Sequence, residues 1–375
     1  MTGFGRRWGS SSLNRAWNRC RNGYRGKFVA NDLSIAQPPI LVQEIGSFFV
    51  GGQVVTLTGL TPRGRVSTTG GPVHPIDPNG EIMARQMYVQ YVRLAEPQSP
   101  SPLLMWHGGG MTGVNWETTP DGRPGWQMFF LRAGFDTYVS DAVERGRASW
   151  APYPEVYPDA PYFRTSKEAW EETFRFGPAG SWHPDPERRR THPGLRFPVT
   201  HFEMFLAQFV PRWGCNNDLI QRAYDALLQR MHGGSIVLTH SQGGNFGLSA
   251  AAAAPDRVRA IISLEPSGAP NPAEQDASRL QSVPHLFLWG DYLDRHSFWI
   301  HSRPAAERWR DALRDAGCDV TWIELPAMGI HGNSHAMMAD NNSDAIAGIV
   351  LEWLRERGLA SRPAEPSFNA YSAPG

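Results

Sequence analysis

This sequence predicts an α/β fold with a mostly parallel central sheet and helices on both of its faces. Two observations carry that prediction. From residue 201 onward, short apolar runs alternate with amphipathic or small-residue helical stretches, the order that places parallel strands beside crossover helices. Within that run the strand-like segment SIVLTH passes directly into Ser241-Gln242-Gly243-Gly244 and an alanine-rich helix.

The chain has 375 residues, which suits one large domain with an insertion. Ile45–Val50 and Gln53–Leu57 flank Gly51-Gly52 in the pattern of a hairpin. Gln86–Leu94, Leu103–Trp106 and Asp136–Ser140 read as strands, the second running into His107-Gly108-Gly109-Gly110. Residues 144–200 hold nine prolines and ten aromatics with little periodicity. A structureless loop of that length is unusual in a compact domain, so this stretch is expected to be a cap or lid inserted before the SIVLTH strand. Phe202, Phe205, Leu206 and Phe209 then recur at helical spacing, as do Leu219 to Met231. Strands Ile236–Thr239, Ala260–Leu264, His285–Trp289 and Val320–Leu325 alternate with helices Asn245–Ala254, Ala305–Ala316 and Ala345–Arg357.

The ends differ from this middle. Residues 1–40 are expected to be a basic, flexible arm, with seven cations before the first acid, Asp32; residues 359–375 are expected to be a loose tail. Arg6-Arg7 is followed by no apolar run, which argues against a secretory signal and favours a cytoplasmic location. Charges balance, with 36 Lys+Arg against 36 Asp+Glu, which argues against nucleic acid as a partner. No stretch approaches the roughly 20 apolar residues of a membrane span. Cys20, Cys215 and Cys318 are too few and too scattered for a disulfide framework or a zinc motif, and no metal or other cofactor is expected.

The chemistry lies in four places. Thr239-His240-Ser241-Gln242-Gly243 sits where a strand turns sharply into a helix, the context that exposes a nucleophilic serine at a helix N-terminus. The position two before the serine is ordinarily Gly, and Thr239 is at the upper size limit there. His107-Gly108-Gly109-Gly110 is a glycine-rich turn of the kind whose backbone N–H groups bind an oxyanion, and it lacks the spacing of a phosphate loop. A general base is offered by His331 and His335, of which the polar Gly332-Asn333-Ser334 run favours His335. The acid that orients it could be Asp291 or Asp294 after one strand, or Glu265 after the strand before; spacing does not choose.

These residues resemble an α/β-hydrolase, and specifically the bacterial esterase 713-like family. The resemblance spans roughly residues 41–357. It rests on Ile45–Gly52, His107-Gly108, Met111-Thr112-Gly113, Trp116–Arg123, Gly146-Arg147, His240–Gly243, Glu265-Pro266 and Gly332–His335. It implies a triad of Ser241, His335 and Glu265, an oxyanion hole from the N–H groups of Gly109 and Gln242, and a catalytic domain over 41–358. One departure is plain: the family's type member has a vicinal disulfide where this chain has Gly109-Gly110. The expected activity is hydrolysis of small-molecule carboxylic esters through an acyl-enzyme. An amidase, a lipase or a non-catalytic binding protein of the same fold are the alternatives, and a homodimer is compatible with the sequence. The aromatic insertion suggests a bulky or aromatic ester, with Trp150, Tyr153 and Trp182 as candidate substrate contacts.

Overall fold

The computed structural model describes residues 38–361. The expected arm therefore lies almost wholly outside the described residues, as does the tail beyond Ser361. Where the tail begins, Leu359 N–H donates to Leu354 O and Ser361 Oγ to Gln98 O.

Among the described residues ten strands form: β1 (Val42–Leu57), β2 (Arg63–Val66), β3 (Val73–Ile76), β4 (Gly80–Leu94), β5 (Leu103–Trp106), β6 (Thr137–Asp141), β7 (Ser235–His240), β8 (Val258–Leu264), β9 (His285–Trp289) and β10 (Val320–Glu324). Eight make one sheet in the order β1-β4-β6-β5-β7-β8-β9-β10, while β2 and β3 pair separately. From β6 to β10 every neighbouring pair is parallel; β4 runs antiparallel to both β1 and β6. The expected parallel α/β sheet is therefore present.

The hairpin expected at Gly51-Gly52 is not. β1 runs straight through, pairing with β4 from Leu57↔Gly80 to Val42↔Leu94. Gly51 and Gly52 take φ of +67° and +86°, and Arg85 opposite them takes +67°, so both strands deform together and resume register. Two glycines signal permissive backbone, and a long partner strand turned that permissiveness into a local distortion instead of a reversal.

β7 and β9 are buried along their whole length, and β8 everywhere but at Arg259, because helices cover both faces. The principal helices are α1 (Trp126–Arg132), α2 (Phe202–Leu206), α3 (Asn217–Arg230), α4 (Gln242–Ala253), α5 (Ser297–Asp315) and α6 (Ser343–Glu356). One core layer joins α1, α2 and α6 to the sheet, the other joins α3, α4 and α5. Residues 144–200 contain only short helical turns, and their rings divide between two places: Tyr157 joins Ala84, Ala151 and Trp213 in a small separate cluster. Trp170, Phe174, Phe176 and Phe197 are buried with Phe202 and Phe205 in the same layer as Leu103 and Leu238. The strand order changes direction between β5 and β7, which opens the crevice at the C-terminal ends of those two strands to a site. The glycine turn follows β5 and Ser241 follows β7.

Candidate active site

Ser241 joins β7 to α4 with φ 55° and ψ −118°, a strained conformation for a residue with a side chain. The turn is held by Ser241 N–H donating to Leu264 O (3.0 Å) and by Gly244 and Ser267 N–H donating to Ser241 O. Thr239 fits for two reasons. Its hydroxyl donates to Ile262 O (3.0 Å), and its methyl occupies space left open by Gly247, where a Cβ would stand 2.6 Å away. Gly243 is equally constrained: a Cβ there would meet the carbonyl oxygens of His107 at 2.7 Å and Trp106 at 2.8 Å. The helix is thus pressed onto the strands, and the first-turn N–H groups of α4, Gln242 among them, have no partner within the helix.

The glycine turn lies against this elbow. A Cβ on Gly108 would come within 3.1 Å of Ser241 Cβ, and one on Gly109 within 3.1 Å of Gln242 Oε1. His107 braces the turn: its Nδ1 hydrogen-bonds to Gly108 O (2.8 Å) while Nε2 accepts from Ala142 N–H (3.0 Å). That pattern fixes one neutral tautomer, and burial lowers the ring to about 4, with the Arg145 charge next in effect.

His335 is fully buried, with Nδ1 2.5 Å from Glu265 Oε2. Its Nε2 is buried and makes no hydrogen bond, and none joins it to Ser241 Oγ. Burial, followed by the positive charges of Arg175 and Arg164, holds the ring well below the usual histidine range, so it is neutral with Nε2 as its free lone pair. His240 is the spacer between elbow and histidine. Its Nε2 hydrogen-bonds to His335 O (2.8 Å), and the two rings lie 4.3 Å apart.

Glu265, at the end of β8, is buried and takes φ of 42°. Besides His335 it accepts from Gly290 N–H (2.7 Å) and from both Nη atoms of Arg175 (2.9 and 2.6 Å). Neither alternative acid reaches His335. Asp291 accepts from the N–H groups of Tyr292 and Gly332, and Asp294 is exposed beside Arg295. His331 is also exposed, 3.5 Å from Asp291. Trp150 and Tyr153 are about half exposed, Trp150 against Trp213; Trp182 packs on Trp170 and Phe202. None of these three touches Ser241, Glu265 or His335 among the contacts described.

Sequence reasoning missed two supports. Arg175 follows the π-helical turn Ala169–Thr173 in a left-handed conformation, fully buried, and also donates from Nε to Asp291 O (2.8 Å). Asp340 accepts from Ser334 N–H and Oγ and from Asn333 Nδ2, fixing the loop that carries His335. Burial raises its carboxyl to about 7. No sequence pattern marks Arg175; the Asn333-Ser334 pair was the available hint of Asp340.

The model of the α/β hydrolase fold matches residues 101–298, and a solved bacterial esterase is 33% identical, covering 85% of this chain and 98% of its own, with a TM-score of 0.72. The chain belongs to the α/β-hydrolase fold family. A second relative of this α/β hydrolase, from Fungal sp. (strain ATCC 74256), is described as a probable secreted lipase; it is 28% identical over 327 residues, covering 72% of this chain and 86% of the relative. No helix among the described residues of the hydrolase is long and apolar enough to cross a membrane.

Proposed function

We propose that this α/β hydrolase is a serine carboxylesterase. Ser241 attacks the ester carbonyl, and His335 Nε2 takes its proton and returns it to the departing alcohol. Glu265 holds the imidazole and stabilises its protonated form, and the N–H groups of Gly109 and Gln242 bind the oxyanion. Water activated by the same histidine then releases the acid. The observation that carries this reading is the buried chain Arg175–Glu265–His335, ending in a lone pair with no partner, its imidazole 4.3 Å from the ring of His240, the residue before Ser241 in its strained turn.

Residues 144–200 are read as the cap within a catalytic domain of 41–358. What supports this is that Arg164 Nη1 donates to Gly109 O (2.8 Å), His335 N–H to Phe174 O, and Arg196 N–H to Gly332 O. A cytoplasmic location is not carried forward, since one relative is described as secreted. The decisive experiment compares wild type with Ser241→Ala on para-nitrophenyl butyrate, with mass detection of the acylated protein. Turnover and the acyl adduct should both vanish while the thermal midpoint stays; retained turnover would remove Ser241 from the mechanism.

A further inference from the structure

Three guanidinium groups converge on the oxyanion turn. Arg145 is buried; it donates from Nη1 to Gly108 O (3.3 Å) and from Nη2 to Gln242 Oε1 (2.9 Å), and its Nε has no partner. Arg164 Nη1 bonds to Gly109 O, and the carboxylate beside it is Glu168, at 3.4 Å from Nε. Arg212 is part-exposed, and its Nη1 would stand 3.0 Å from a Cβ on Gly109. Its guanidinium lies over the Tyr162 ring and makes no hydrogen bond or ion pair among the described residues.

Gathering like charges this way is costly. Burial and then the Arg212 charge lower Arg145 to about 9, with Arg164 acting in the same direction. Bracing a turn through its carbonyls needs only neutral donors, and Arg212 braces nothing. Its planar fork is suited to a carboxylate in two-point contact, next to where the ester carbonyl would sit.

We propose that the substrate is an anionic ester, carrying a carboxylate a few bonds from the scissile carbonyl, and that Arg212 docks that carboxylate within the positive field of Arg145 and Arg164. This rests on the esterase reading above. It also accounts for the charge balance of the three arginines, among which Arg164 alone has a carboxylate partner, Glu168, among the described residues. A neutral ester would leave three cations with one carboxylate among them, whereas a bound anion offsets them.

The test compares kcat/KM for para-nitrophenyl butyrate with that for para-nitrophenyl hemisuccinate, which places the charge on the acyl side, and with para-acetoxybenzoate, which places it on the alcohol side. One charge-assisted, two-point contact predicts a preference of roughly tenfold to a hundredfold for one anionic ester over its neutral counterpart. The preference should weaken with added salt. Arg212→Met should collapse that ratio and Arg212→Lys should restore part of it, while Arg259→Met, on the remote side at Gly233, should leave it in place. A parallel arm measures calorimetric binding of monomethyl succinate to Ser241→Ala, with and without Arg212→Met. Equal rates on neutral and anionic esters, or a preference surviving Arg212→Met, would overturn the proposal and leave the esterase intact. No turnover of any ester, with Arg212-dependent binding of monomethyl succinate, would overturn the esterase reading and leave the anion site standing.

Discussion

Arg175→Met is the perturbation that most sharply tests how the candidate triad is held. The wild-type guanidinium makes two bonds to Glu265 and one to Asp291 O, and both ionic partners are fully buried. Methionine keeps much of the volume but leaves Glu265 buried with Gly290 N–H and His335 alone. Breaking a buried pair by removing one partner costs about 3–5 kcal/mol. With an unfolding entropy of about 2.1 cal/mol/K per residue over roughly 320 residues, each kcal/mol moves Tm by about 1.5 °C, so a fall of about 4–8 °C is expected. Calorimetry or circular dichroism reads it directly.

The same substitution has a catalytic signature that lost packing would not produce. The Arg175 charge is one of the causes holding His335 low. Without it the histidine binds a proton more readily. The base must be neutral to act, so the acidic limb of the kcat/KM profile should move to higher pH. Arg175→Met combined with Glu265→Leu should recover much of the Tm, since an apolar pair replaces a buried ionic one, yet recover no activity. A Tm within about 1 °C of wild type, or an acidic limb that does not move, would refute this account.

Three further outcomes follow from the same geometry. Glu265→Gln should lower kcat by on the order of a hundredfold or more, and Asp291→Asn by less than about tenfold; stopped-rate assays on an activated aryl ester separate them, and the reverse order would transfer the acid's role to Asp291. Gly332→Ala should lower both Tm and kcat, because Gly332 has φ +86° and a Cβ there would collide with Gly194 O, forcing apart the segment that meets the His335 loop. Stability should also fall on acidification. Burial lowers His107 and His285 to about 4, so the unfolded chain binds their protons first. Their contribution is complete above the unfolded value of about 6.5 and is lost between there and about 4, at roughly 1.4 kcal/mol per pH unit for each histidine. Urea titrations from pH 7 to pH 4.5 measure the slope, which His285→Gln should reduce.

The parts of this molecule legible in its sequence are those fixed by local rules. β5 and β9 end where their apolar runs end, because a strand buried on both faces has no polar side to blur it. The elbow was legible despite Thr239, whose fit depends on Gly247 in the next helix. α5 was read short: it begins at Ser297, eight residues before the predicted start, because Pro304, which ordinarily marks a boundary, lies inside it. β2 and β3, exposed and four residues each, carry no alternation to find.

The acid illustrates the harder kind of inference. Glu265, Asp291 and Asp294 all follow strands in the right order, and chain distance ranks them equally. What distinguishes Glu265 is three-dimensional: Gly290 lets the backbone approach, since a Cβ there would be 2.9 Å from Glu265 Oε1, and Arg175 arrives from a segment some ninety residues earlier. That segment is the aromatic insertion, whose rings suggested a pocket for a bulky or aromatic ester. Trp170, Phe174, Phe176 and Phe197 join the layer beneath the sheet, and the segment approaches His335 through Phe174, with ring centroids 5.4 Å apart, and through Arg175 by way of Glu265. A π-helical turn is what makes this possible. It adds a residue to the helical register at Ala169–Thr173, so that Phe174 and Arg175 emerge together, one under the imidazole and one on its carboxylate. Composition marked the insertion as unusual, but its bearing on the site runs through two consecutive side chains that only that backbone turn aligns.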